Sequence, residues 1–151
     1  ISWIDWSLLE KNKDLFEFFK FMIDYRKKHP VIRKKLDNAV CGMEAMHAHD
    51  VNAERMEVPQ NAKTLAVSFA GYDRKKGKDD LVYVAVNAYW EEVKITLPNL
   101  ANHGAWYLSV DTYGDEKGKY FYQEGEEIRI DREYVMKPRS IVVFTGREIL
   151  R

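Results

Sequence analysis

The chain has 151 residues, 46% of them hydrophobic, with 24 lysines and arginines balanced by 24 aspartates and glutamates. That length suits one large domain or one domain with an appendage, and a net charge of zero gives no basic surplus for nucleic acid or an acidic membrane. The single cysteine, Cys41, excludes an intrachain disulfide and fits a reducing compartment such as the cytoplasm, while the apolar runs fall well short of the roughly 20 residues that cross a bilayer.

The chain opens Ile1-Ser2-Trp3-Ile4-Asp5-Trp6 and passes almost at once into a helical pattern. Asn12 is a candidate N-cap, with Asp14 in the first turn where the helix dipole favours negative charge. Arg26, Lys27, Lys28 and His29 suit the last turn, and Pro30 stops it, so a helix is predicted from about Lys13 to His29. Leu15, Phe16, Phe18, Phe19, Phe21, Met22, Ile23 and Tyr25 spread over roughly 220° of its circumference, about twice the minimum stripe of a surface helix. Such a helix must pack on two sides, because each large side chain left wet forfeits about 1.5–3 kcal/mol. Either its own domain clasps it, or it comes from the outer ring of a larger α/β assembly and expects polypeptide beyond this sequence. In the second case the bare helix promotes dimers.

After Arg33 the texture changes to short alternating runs separated by turn residues. Strands are predicted at Thr64–Tyr72, Leu81–Ala88, Val93–Leu97, Trp106–Asp111, Glu127–Ile130 and Ser140–Thr145, with edge strands in the 40s and 50s. Charged loops fall at Asp73–Asp79 and around Gly114 and Gly118. About seven or eight strands result, and a two-sheet antiparallel sandwich is the expected solution. The fold class is therefore mainly β, with one long helix ahead of the sandwich.

Four groups of residues have chemistry to offer. His47 and His49 would share a strand face, as metal ligands can, but His29 and His103 lie far away in sequence and no second Cys/His cluster exists; no metal is expected. The carboxylate pairs Asp79-Asp80, Glu91-Glu92 and Asp115-Glu116, and the run Glu124 to Glu127, fall in predicted turns or strand ends, where they are expected to be solvated. Glycosidase chemistry instead needs two carboxyl groups across a cleft, one with a raised pKa. Cys41 with either histidine lacks an anchoring motif, and neither a Gly-x-Ser-x-Gly elbow nor a Gly-rich phosphate loop is present, so Cys41 reads as a buried structural residue. Aromatics are abundant: Trp3, Trp6, Tyr89, Trp90, Trp106, Tyr107, Tyr113, Tyr120, Phe121 and Tyr122. Flat aromatic faces suit the apolar C–H faces of sugars. Trp106, inside a strand, is expected in the core; Trp90, near a turn, is the best candidate for a surface role as partner contact or sugar platform.

Several segments, taken in order, resemble one family. Residues 1–6, then Leu15 to Pro30 ending in Tyr25-Arg-Lys-Lys-His-Pro-Val-Ile-Arg33, are similar to the stretch after the last barrel strand of isoamylase-type and glycogen-debranching enzymes, within glycoside hydrolase family 13. Residues 79–92 and 95–98, Trp106 to Thr112 and Pro138 to Phe144 resemble that family's C-terminal β-domain. The region from Leu36 to Gln60 fits worst: the family often carries His-Gly where this chain has His49-Asp50. The resemblance implies that residues 1–35 are the terminal loop and helix of a catalytic (β/α)8 barrel, and that residues 36–151 are a sandwich beside it. It implies a parent that hydrolyses α-1,6 branch linkages of α-glucans without a cofactor, using carboxylates upstream of Ile1. No residue here matches a catalytic position. Trp3, Asp5 and Trp6 would follow a barrel strand and lie toward the substrate face. The implied partners are that barrel and, through the parent, α-glucan.

Overall fold

The computed structural model describes residues 3–53, 60, 62–101 and 104–147. A four-residue helix, α1 (Leu8–Lys11), leads into α2 (Lys13–Lys28), and a 3-10 turn (Pro30–Ile32) follows. Helix α2 matches the sequence expectation to within a residue. Its start does not: the Asn12 side chain makes no capping bond and instead donates from Nδ2 back to the Leu8 carbonyl at 3.0 Å. Joining α1 directly to α2 takes Asn12 out of the extended geometry that a capping residue adopts.

Eight strands follow among the described residues: β1 (Met46–His49), β2 (Thr64–Asp73), β3 (Lys78–Asn87), β4 (Val93–Thr96), β5 (Ala105–Asp111), β6 (Ile128–Ile130), β7 (Glu133–Met136) and β8 (Ser140–Arg147). All pair antiparallel, six in one sheet ordered β1-β2-β3-β8-β5-β6 and two in a smaller sheet, β4-β7. The mainly-β sandwich expected from the alternating runs is thus the observed fold. Strand β7 has no counterpart among the predicted strands. The edge strand expected in the 40s is β1, whereas residues 54–59, part of the one expected in the 50s, lie outside the described residues.

The centre of the large sheet is covered on both faces, which explains why β3 reads as an unbroken apolar run rather than an alternating one. Leu81, Tyr83 and Ala85 of β3, with Val142 and Phe144 of β8, face the small sheet and pack with Ile95, Leu97, Trp106 and Met136. Val82 and Val143 point the other way and, with Val110, meet α2. The molecule therefore stacks three layers: helix, six-stranded sheet, two-stranded sheet. Trp106 is core, as expected, only 2% exposed, and its indole N–H donates to the Pro98 carbonyl at 2.7 Å. Gly146 lets it lie there, since a Cβ on that residue would stand 2.8 Å from the Leu81 Cβ and 3.0 Å from the indole.

Candidate functional site

Helix α2 presents two adjacent apolar faces. The first carries Phe18, Phe21, Met22 and Tyr25, which pack with Val82, Val110, Val143 and Phe121 of the sheet layer. The Phe21 and Phe121 rings stand 4.7 Å apart. Toward the helix end Tyr25 is buried, its hydroxyl 2.8 Å from Thr145 Oγ1, which in turn lies 2.8 Å from Ser109 Oγ. Burial holds the Tyr25 hydroxyl well above the ordinary tyrosine pKa. One step beyond, His29 Nδ1 meets Asp80 Oδ1 at 2.5 Å, and the Val31 N–H donates to Asp80 Oδ2 at 3.0 Å. A single buried carboxylate thus pins the helix terminus and the following turn to β3.

The second face is left to solvent. Leu15, Phe19 and Ile23 form an i, i+4 row flanked by Phe16, all about half exposed, and the surface continues through Leu8 and Leu9 of α1 to Trp6 and Ile4. All of these but Ile23 line, with Asp5 and Asn12, an open, nearly wholly apolar concavity of about 580 Å³. Asp5 accepts hydrogen bonds from the Ser7 N–H and hydroxyl, at 3.0 and 2.6 Å, which hold its carboxyl below the ordinary value. Trp3 is 90% exposed, and Trp6, at the rim of the concavity, is also largely in water. The sequence expectation of a helix needing cover on two sides is met on one side within the described residues.

A second concavity, of about 650 Å³, opens between α2 and the sheet. Its lining mixes the Tyr25, Ser109 and Thr145 hydroxyls with charged groups of both signs. Lys28 and Glu124 approach to 3.5 Å, linking the helix to the loop before β6, and the Lys76 ammonium donates to the Lys28 carbonyl. Glu127, expected to be solvated, is instead enclosed and paired with Arg147, its side chain only 6% exposed.

The other predicted groups fall as follows. Asp79 and Asp80, expected to be solvated, are instead buried, because backbone N–H groups of distant segments donate to them. Asp79 accepts from the Val40 and Cys41 N–H groups at 2.9 and 2.8 Å. As successive strand residues the two carboxylates point to opposite faces and cannot oppose one another across a cleft. Glu91, Glu92, Asp115 and Glu116 are exposed, as expected. His47 and His49 do share β1, with rings 4.8 Å apart. Both nitrogens of buried His49 are engaged, Nε2 with Ser68 Oγ at 2.8 Å and Nδ1 with the Ala53 carbonyl at 3.2 Å, and His47 pairs with Glu44. Burial lowers the His49 pKa. Among the described residues no group of three or more His, Cys, Asp or Glu could hold a metal ion; His103 lies outside the described residues. Cys41 is half-buried against the core.

Trp90 is 64% exposed in the turn between β3 and β4. Its indole stacks on Tyr89, with centroids 4.2 Å apart and a 38° tilt, and the Lys63 ammonium lies 3.7 Å from the Tyr89 centroid. Sequence reasoning marked Trp90 but not Lys63, which is 27 positions away and carries no local signal.

Comparison with known proteins places these features in context. A family model described as "Isoamylase, C-terminal" matches residues 39–145. One similar protein is "Isoamylase 3, chloroplastic" of Oryza sativa subsp. japonica, 27% identical over 113 residues, which is 74% of this chain and 13% of the rice protein. The match thus spans well under a fifth of that relative's length.

Proposed function

The chain belongs to the isoamylase C-terminal family, and from that premise we propose that it is the non-catalytic flank of a debranching-type glycoside hydrolase, seated against the parent's catalytic (β/α)8 barrel. The observation that carries the reading is the second apolar face of α2. Leu15, Phe16, Phe19 and Ile23, with Leu8 and Leu9, are large, contiguous and wet. Covering each one recovers a fraction of about 1.5–3 kcal/mol. One helix then serves two interfaces: its inner face rests on the sandwich and its outer face on the barrel. Residues 1–35 are the barrel's terminal loop and helix on this reading, and residues 36–151 the supporting domain. Trp3, Asp5 and Trp6 lie toward the barrel's substrate face.

The parent, on the same reading, cleaves α-1,6 branch linkages of α-glucans with two carboxyl groups outside this chain. The buried pair Asp79 and Asp80 supports a structural role here, since both carboxylates accept backbone N–H bonds and face apart. The test compares the full-length protein with its Phe19→Asp variant. Debranching activity and the melting temperature of the barrel should both fall, and the 151-residue chain alone should be inactive and self-associate through the same face in light scattering. Hydrolysis of α-glucan by this chain alone, or a full-length Phe19→Asp protein unchanged in melting and activity, would overturn the proposal.

A further inference from the structure

The turn that carries Trp90 is fixed more firmly than a surface loop requires. Asn87, 1% exposed, donates from Nδ2 to the Glu91 and Lys137 carbonyls at 2.9 and 3.0 Å and accepts from the Tyr89 N–H at 3.0 Å. The Arg139 N–H adds a bond to the Tyr89 carbonyl at 3.0 Å. Above this frame Tyr89 backs the indole on one side, and Lys63 sits over Tyr89 and 5.4 Å from the Trp90 centroid. The aromatic pair is therefore held in one arrangement while most of Trp90 stays in water. Ordering it on binding costs little further entropy, since its backbone and ring neighbours are already set. It lies at the opposite end of β3 from Asp80 and so from the junction that anchors α2.

We propose that Tyr89, Trp90 and Lys63 form a secondary binding site for α-glucan on the sandwich, separate from the barrel. The chemistry fits a pyranose. Its axial C–H face is apolar and stacks on the indole, whereas its hydroxyls point outward to the rim. The Lys63 ammonium donates there, and the carboxylates of Glu91 and Glu92, both exposed beside Trp90, accept. A single held ring gives weak, reversible binding, useful for keeping a polymer near an active site through a raised effective concentration. The choice of α-glucan rests on the proposed function above.

Isothermal titration of the 151-residue chain with maltoheptaose tests this, with the β-linked cellohexaose as comparison. Binding of maltoheptaose is expected in the millimolar range or tighter, weakened at least tenfold in Trp90→Ala, largely kept in Trp90→Phe, and weaker for cellohexaose. Matching far-UV spectra and melting curves for the variants show that the fold is intact. Absence of heat with the unaltered chain, or equal affinity in Trp90→Ala, would overturn the site. The two proposals fail separately: a full-length protein that debranches α-glucan while Trp90→Ala binds as before removes only this site, whereas a full-length protein inactive on α-glucan removes the reading beneath it.

Discussion

Phe21 and Phe19 stand two positions apart on α2, and truncating each measures what its face of the helix is worth. Phe21 is 9% exposed, stacked near Phe121 and packed with the valines of β3, β5 and β8. Phe21→Ala removes a buried ring and leaves a void, a change that costs about 3–5 kcal/mol. Phe19 is 59% exposed, so Phe19→Ala forfeits little packing. Alanine also favours the helix by about 0.5 kcal/mol over phenylalanine at either site. That gain leaves Phe19→Ala within about 0.5 kcal/mol of the unaltered chain, and it cancels from the difference between the variants. For a chain of this size each kcal/mol moves the melting temperature by about 2–4 °C, so the two should separate by on the order of 6–20 °C. Urea titration at one protein concentration, kept low enough to suppress self-association, reads the same difference as a shift in midpoint. Equal losses in the two variants, or a larger loss for Phe19→Ala, would refute the two-face account of the helix.

Two other substitutions probe the polar anchors. Asp80→Ala strands the buried Val31 N–H and the His29 ring, and should cost about 2–5 kcal/mol in chemical denaturation; Asp80→Asn, which keeps the shape and an acceptor for Val31, should cost less than half as much, and equal costs would mean that the charge, not the acceptor, carries the effect. His49 gives a pH signature. Because burial lowers its folded pKa, the unfolded chain binds more protons between that value and about 6.5. Its contribution to stability is therefore complete above about pH 6.5, declines as the pH drops below that, and levels once the folded value is passed. His49→Gln should flatten the stability profile between pH 5 and 8, measured by urea midpoints, and an unchanged slope would show that another group sets it.

Periodicity carried most of the architecture. Helix α2 and strands β2, β3, β5 and β8 were legible because each is long enough for its period to show and is bounded by Pro, Gly or charged turns. Strand β7 was not: Glu133-Tyr-Val-Met136 offers four residues and no clean alternation, and its partner β4 is 40 positions earlier. The buried carboxylates were misread for a related reason. Asp79 and Asp80 look like turn residues from their neighbours, and what buries them is backbone from residues 31, 40 and 41. A hydrogen bond across such a span leaves no trace in local composition. Exposure of the outer face of α2 was the opposite case, since an arc of that width cannot be covered by one sheet. For the site, Trp90 was visible as an aromatic beside a turn, but the Asn87 frame and Lys63 required the fold.

Strand β8 sits in the middle of the large sheet, between β3 and β5, yet follows every other described strand in the chain. During synthesis the β2–β3 hairpin can zip as soon as it leaves the ribosome, but Val143 and Thr145, which Phe21 and Tyr25 rest on and bond to, emerge only after all the other described strands. Until then the inner face of α2 lacks the middle of its platform, and β3 and β5 each expose a row of unpaired backbone groups. The nascent chain is thus most vulnerable to misassembly before β8 emerges, and a stop codon ahead of Ser140 would remove the plank that joins the two halves of the sheet.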